Sequence, residues 1–204
     1  MQFLRLARHL IRANLKAYLL LNAMAYGLLT VGLLIGVLFP DLNIAVKGSM
    51  DDSGTTDQVV ALLRTPWLFA LTIFAVNIVK IALAAILVPS LIVPFAGVAV
   101  FAYFAVETGV TLAPVDHAAA MTLIPHSLTM LVEFQAYVLL MLGAYMLGRS
   151  WIRPKSARAI SHRQGYLLGL RLSWRLAKPA LALLVIGAVY EALSLTYLLP
   201  LLFR

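Results

Sequence analysis

The sequence predicts an all-α membrane protein, a polytopic transmembrane helix bundle with about five spans and with N-terminal and internal interfacial amphipathic helices. Of its 204 residues, 63% are hydrophobic and 12% are charged, whereas soluble domains average roughly half apolar and a quarter charged residues. The mean hydropathy is +0.96. Apolar stretches long enough to cross a bilayer recur along the chain. We therefore expect one integral membrane domain over residues 1–204.

The net charge of +8 arises from 16 Lys and Arg residues against 8 Asp and Glu residues. Basic residues accumulate in the cytoplasmic segments of membrane proteins, so we attribute this charge to topology and expect no nucleic-acid partner. The chain contains no cysteine, which excludes disulfides, thiolate catalysis and Cys-ligated metal centres.

Residues 1–16 predict a basic amphipathic helix, with Arg5, Arg8, Arg12 and Lys16 at spacings of three and four. The apolar stretch that follows is too long for the core of a signal peptide and long enough to span a membrane. Spans are predicted at about 17–39, 66–88, 91–113, 123–147 and 179–203.

The segments between these spans differ in charge. Segment 40–65 is acidic and predicts a solvated loop, while Pro89 and Pro94 predict a tight turn that breaks the helix. Segment 149–178 carries eight Lys or Arg residues and no acid, and a second interfacial helix is predicted within it at 166–177.

Five crossings place the basic N-terminus and the basic segment 149–178 on the same side. By the positive-inside rule that side is the cytoplasm, which predicts a bacterial or archaeal cytoplasmic membrane protein with a cytoplasmic N-terminus. Basic residues of the two amphipathic helices are expected to contact anionic lipids; they are Arg5, Arg8, Arg12, Lys16, Arg171, Arg175 and Lys178.

Ionisable residues within spans are informative, because a charge at the helix centre costs at least about 2.5 to 3.5 kcal/mol. Asn77 and Glu133 are predicted at similar depth, with Lys80 one turn further in, so Glu133 is within reach of either residue. The predicted intramembrane polar cluster consists of Asn77, Lys80, Glu107, His126, Glu133 and Glu191. Two interpretations stay open: a buried polar clamp that selects one helix packing, which we favour, and an ion, proton or substrate path.

Nothing in the sequence predicts catalysis. His126 and Glu133 share a helix face two turns apart, but a metal site needs a further ligand from another helix. The remaining histidines are predicted outside the spans, and no Ser or Thr has a base beside it. We therefore expect a non-enzymatic protein with no cofactor, metal or catalytic residue.

Two pairs of small residues are spaced for close helix packing. Gly32 and Gly36 form a GxxxG pair in the first span, and Ala144 and Gly148 repeat this spacing in the fourth. We favour packing within the chain over dimerisation for both pairs.

The fourth span resembles the stage II sporulation protein M family. The resemblance rests on Ile124-Pro125-His126, on Glu133 and Ala136, and on a Gly- and Ala-rich stretch that closes on Leu147-Gly148-Arg149. The acid lies two turns after the histidine here, against about one turn in the family, and Ser127 replaces a glycine. The resemblance implies a non-enzymatic polytopic protein similar to a scaffold that recruits extracytoplasmic cell-wall enzymes.

These observations predict a scaffold or accessory subunit of a membrane protein complex. Its expected partners are membrane lipids and other membrane or extracytoplasmic proteins, or further copies of itself, with the outer segment 40–65 as the expected contact. The alternative is a small transporter or channel subunit that uses Lys80, Glu107, Glu133 and Glu191 as polar lining.

Overall fold

The computed structural model describes residues 2–52 and 61–203, and within these ranges every regular element is helical. This confirms the predicted all-α class. The long elements are α1 (Gln2–Ala13), α2 (Leu15–Leu38), α3 (Pro40–Asp52), α4 (Pro66–Ile92), α5 (Ala96–Thr111), α6 (His117–Ile152) and α7 (His162–Leu202). A short 3-10 helix, Pro154–Ala157, lies between α6 and α7.

Four helices of the described chain are long and apolar enough to cross a membrane, namely α2, α4, α6 and α7. The chain is therefore a membrane protein. The predicted third span corresponds to α5, which is apolar but has only 16 residues. At 1.5 Å per residue it is roughly 24 Å long, somewhat less than the hydrocarbon thickness of a typical bilayer.

The helices place chain segments at two opposite ends of the bundle. At the first end, which we call the basic end (residues 12–16, 93–95 and 149–166), the Phe95 ring packs against Gly148 and the Tyr166 hydroxyl donates to the Leu91 carbonyl. At the opposite end, the Asn43 amide donates to the carbonyls of Val110 and Thr111. The N-terminus and the start of segment 149–178 thus lie at the same end, as predicted.

α6 is the central helix of the bundle. Of the residues in its most apolar window, 67% are buried, against 22–28% for the other three long helices. Its main neighbour is α7, which runs antiparallel to it. The two backbones approach closely because Gly165, Gly169 and Ser173 recur every four residues along α7. A Cβ added at Gly169 would lie 2.7 Å from Leu147 Cα.

α2 and α5 form a second close contact and run in the same direction. An added Cβ at Gly32 would overlap the carbonyl oxygen of Val106, and one at Gly36 would lie 2.7 Å from that of Val110. From α5, Gly109 faces the backbone of α2 in return. The GxxxG pair therefore forms a helix–helix contact within one chain, as predicted. Of the second small pair, Ala144 is buried and Gly148 lies against Phe95.

The prediction of a loop over 40–65 was wrong for Pro40–Asp52, which is helical, while residues 53–60 lie outside the described ranges. Proline fits the first turn of a helix, and Asp41 adds a favourable negative charge there. Asn43 is 1% exposed, and its hydrogen bonds cover carbonyls at the end of α5. A polar composition was misread as a solvated loop because this tertiary contact is invisible in sequence.

Two further boundaries were wrong. The interfacial helix predicted at 166–177 and the span predicted at 179–203 are one continuous helix, with Pro179 buried inside it. Membrane helices tolerate proline because neighbouring groups satisfy the freed backbone. Of the turn predicted from Pro89 and Pro94, the part at Pro94 is confirmed, since the chain leaves the helix at Val93–Phe95, where Phe95 adopts φ 68°; Pro89 lies within the helix.

We expect Gly32→Ala to destabilise the protein by about 1–3 kcal/mol, because its methyl group has no room beside α5. Gly27 is the matched control on the same helix, since an added Cβ there meets nothing within 4 Å. Gly27→Ala should be neutral or stabilise by up to about 1 kcal/mol through helix propensity. Thermal unfolding in detergent measures both, and equal midpoints for the two variants would contradict the α2–α5 contact.

Candidate functional site

His126 and Glu191 form an ion-pair geometry between α6 and α7. The Nε2 atom of His126 lies 3.2 Å from Oε1 of Glu191, and each side chain is 17% exposed. The antiparallel arrangement of the two helices creates this contact. The sequence placed both residues in a polar cluster but did not predict that they pair.

Asn77 and Glu133 form the second contact, between α4 and α6. The Asn77 amide donates to Oε1 of Glu133 at 2.5 Å. The Glu133 side chain also lies against α7, because a Cβ added at Gly187 would be 2.7 Å from its Cγ. Gly187 is one turn before Glu191 on the same face of α7. Three helices, α4, α6 and α7, therefore meet around these polar groups, which we call the polar cluster (Asn77, His126, Glu133 and Glu191).

Both partner helices widen to π-helix beside the polar cluster. Asn77 is the first residue of a π-helical segment that extends to Leu87. Glu191 lies just before the π-helical segment Ser194–Leu198. π-helical segments are rare and occur frequently at functional sites, so their position here singles out this part of the bundle.

Three buried polar atoms of α6 and α7 have no hydrogen-bond partner within the described part of the chain. They are His126 Nδ1, Thr129 Oγ1 and Thr196 Oγ1. Buried polar atoms are nearly always bonded in native proteins. The polar cluster thus has unused hydrogen-bonding capacity beside its two formed contacts.

Lys80 and Glu107 do not join the polar cluster, although the sequence grouped them with it. Both are exposed on the outside of the bundle. Lys80 lies on the outer face of α4 among Val76, Val79 and Leu83, which are 41%, 58% and 43% exposed. No carboxylate whose side chain the structure describes forms an ion pair with Lys80. The sequence predicted that Glu133 could contact either Asn77 or Lys80, and the structure shows the contact with Asn77.

A second polar network, which the sequence analysis missed, links α2 to α6 through Gln135. The Gln135 carbonyl accepts from the Tyr18 hydroxyl at 2.8 Å, and its amide donates to Asn22 Oδ1 at 2.6 Å and to the Tyr26 hydroxyl at 3.0 Å. Only ionisable residues had been considered within spans. Asn22 and Gln135, neutral but polar in apolar stretches, were the available signal.

The basic residues of the predicted amphipathic helices lie on the surface. α1 buries Ala7 and Leu10 and packs on α7, as expected of an amphipathic helix. The residues predicted to contact lipid are all exposed; they are Arg5, Arg8, Arg12, Lys16, Arg171, Arg175 and Lys178.

Metal ligation has no support in the described residues, where no group of three or more His, Asp or Glu side chains is placed to hold a metal ion. Glu191 does come from a second helix towards His126, but Glu133 is engaged by Asn77. The chemistry available to the polar cluster is hydrogen bonding, charge pairing and proton exchange.

No family model matches the chain, and no curated protein or solved structure matches it. The resemblance to the stage II sporulation protein M family therefore stays a prediction from the sequence, and its distinctive residues lie in the fourth span. The structure places these residues on α6, where Pro125 is buried and His126 faces α7.

We expect Asn77→Leu to lower the free energy of unfolding by about 1–3 kcal/mol, because Glu133 would lose its buried donor. Adding Glu133→Leu should restore part of this loss, since replacing both partners by apolar groups removes the unsatisfied atom. Thr72→Val is the control on the same helix, because that hydroxyl bonds only to the Leu68 carbonyl of its own turn. Strictly additive effects of the two cluster substitutions in detergent unfolding would contradict the coupling.

Proposed function

We propose that this chain is a non-enzymatic scaffold or accessory subunit of a membrane protein complex, in the cytoplasmic membrane of a bacterium or archaeon. The observation that carries the proposal is the outward position of Lys80. A charged side chain surrounded by exposed apolar residues on a membrane helix requires a neighbour outside the bundle.

The depth of Lys80 makes this requirement strong. It lies near the middle of the 27-residue helix α4, so each end of the helix is roughly 18 to 21 Å away. The distance from the bilayer centre to its polar boundary is about 15 Å. A four-carbon stem is too short for this distance, and an unpaired lysine there costs at least about 2.5 to 3.5 kcal/mol.

The intramembrane acids that the structure describes do not pair with Lys80. Glu133 and Glu191 are engaged within the polar cluster. Glu107 is exposed but lies one turn from the C-terminal end of α5, near the membrane boundary. If a second copy were placed side by side with the first, its Glu107 would lie near the membrane boundary, whereas Lys80 lies at mid-depth, so the two side chains would not meet. These positions favour a different membrane protein, one with a carboxylate near mid-depth.

Two further observations support a scaffold role. The fourth span resembles the stage II sporulation protein M family, whose namesake is similar to a membrane scaffold. The segment before α4 includes an ordered helix, α3, which presents Asp41 and Leu42 on its exposed side. We keep segment 40–65 as the proposed contact for an extracytoplasmic partner.

A small transporter or channel subunit is the second candidate. It is favoured by the unpartnered Nδ1 atom of His126 and by the π-helical segments that flank the polar cluster. Such groups can bind an ion or exchange protons within the bundle. The exposed positions of Lys80 and Glu107 do not fit the lining predicted for this function.

We expect Lys80→Leu to have opposite effects on the chain and on its complex. The purified chain should be as stable as wild type or more stable, because a charge leaves an apolar surface. The complex solubilised from native membranes should dissociate, because the partner's carboxylate loses its cation. Native gels and detergent unfolding measure the two effects, with Lys155→Glu in the exposed 3-10 helix as control.

A photo-crosslinker at Val79 identifies what faces Lys80 in native membranes. Adducts with another membrane protein are expected, whereas the same probe at Ile186, exposed on α7, should yield lipid adducts. Adducts only with lipid at Val79, or only with further copies of the chain, would overturn the proposed heteromeric role.

The transport alternative predicts flux of protons or ions in liposomes containing the purified chain. Glu133→Gln should reduce this flux without loss of folded protein, and Glu107→Gln, on the outer surface, should not. A scaffold should show no flux above that of empty liposomes.

A further inference from the structure

A cleft of about 700 Å³ opens at the basic end of the bundle, between the start of α2 and the end of α6. Its volume falls within the range of about 300–1,000 Å³ that is typical of ligand sites. Arg12 and Lys16 lie on one side of the cleft, and Arg149 and Arg153 on the other. The sequence analysis predicted lipid contacts for Arg12 and Lys16 but did not associate them with α6.

The four cations around this cleft have no anionic partner among the side chains that the structure describes. None forms an ion pair with a carboxylate of the described residues. The acids of the chain lie elsewhere in sequence, within 41–57 and 107–133 and at 191. Four positive charges line the same cleft, and like charges repel one another, so an external anion would stabilise the arrangement.

Helix dipoles explain only part of this charge. Arg149 lies in the last turn of α6 and Arg12 in the last turn of α1, where positive charge is favourable. Lys16 lies in the first turn of α2, where it is unfavourable, and the Asn14 side chain does not cap that helix. The first residues of α2, Leu15, Lys16 and Ala17, also line the cleft, and the N-terminal end of a helix favours anions.

The walls of the cleft are apolar. Phe95, Tyr145, Leu15 and Ile152 line it beside the cations. The Phe95 and Tyr145 rings are 6.0 Å apart, and Phe95 holds a left-handed backbone conformation that places its ring against Gly148. A ligand that fits these walls and cations carries a compact anion beside a hydrocarbon part.

We propose that this cleft is a specific binding site for the phosphate-bearing headgroup of an anionic phospholipid. Arginine forks pair with phosphate oxygens in bidentate geometry, and the acyl chains would leave the cleft along Leu15 and Ile152 into the bilayer. The site differs from the general attraction of lipid to Arg171 and Arg175, because it is saturable and holds one lipid. It is independent of the function proposed above.

Phosphatidylglycerol added to the full chain in a neutral maltoside detergent is the probe, with binding followed by native mass spectrometry. The wild-type chain should retain one lipid in preference to further ones. Replacing both Arg149 and Arg153 by Gln should weaken this first binding step about 30-fold, at the expected contribution of two surface cations. Arg171→Gln with Arg175→Gln is the matched control, since it removes the same charge from α7 outside the cleft.

The control variant should bind the first lipid like wild type. Equal weakening in both variants, or a stepwise series with no preferred first lipid, would overturn the specific site. Glycerol 3-phosphate distinguishes the headgroup from its lipid. If this soluble ester displaces phosphatidylglycerol at equal concentration, the ligand is a free phosphate ester and the lipid assignment is wrong. Circular dichroism checks that both double variants are folded.

Discussion

The close antiparallel contact of α6 with α7 is the constraint on which the rest of the structure depends. Gly165, Gly169 and Ser173 let the two backbones meet, and the Ser173 hydroxyl donates to the Gly143 carbonyl at 2.8 Å. This contact sets the register of the pair. Further along the same helices, that register brings Glu191 to His126. A shift of one residue would rotate these side chains apart, so the polar cluster is a consequence of backbone packing.

α6 carries polar contacts on opposite faces. Glu133 and Gln135 are two residues apart, which turns them roughly 200° around the helix. Glu133 faces α4 and α7, and Gln135 faces α2. A central helix can bury such groups because each one is met by a neighbour. In a lipid environment this matters greatly, since hydrocarbon offers a polar group no alternative partner. The same requirement makes the unpartnered Nδ1 atom of His126 notable.

Two sets of exposed charges form no ion pair with the described residues and bear on function. Lys80 lies on the membrane-facing side of α4, and the four cations of the basic cleft lie at one end. We propose that each needs a group outside the chain, a carboxylate at mid-depth for Lys80 and an anionic headgroup for the cleft. These needs are more informative about function than the internal contacts, which are also explained by folding.

Hydropathy and charge along the chain determined the class, the approximate spans, and which segments lie together at the basic end. These properties are local, because transfer of each stretch into lipid depends mainly on its own composition. Tertiary structure alone decided that His126 pairs with Glu191, that Lys80 faces outwards, that 162–202 is one helix, and that Pro40–Asp52 is helical. Apolar helix faces are nearly equivalent to lipid, so partners are selected by close fit between residues far apart in sequence.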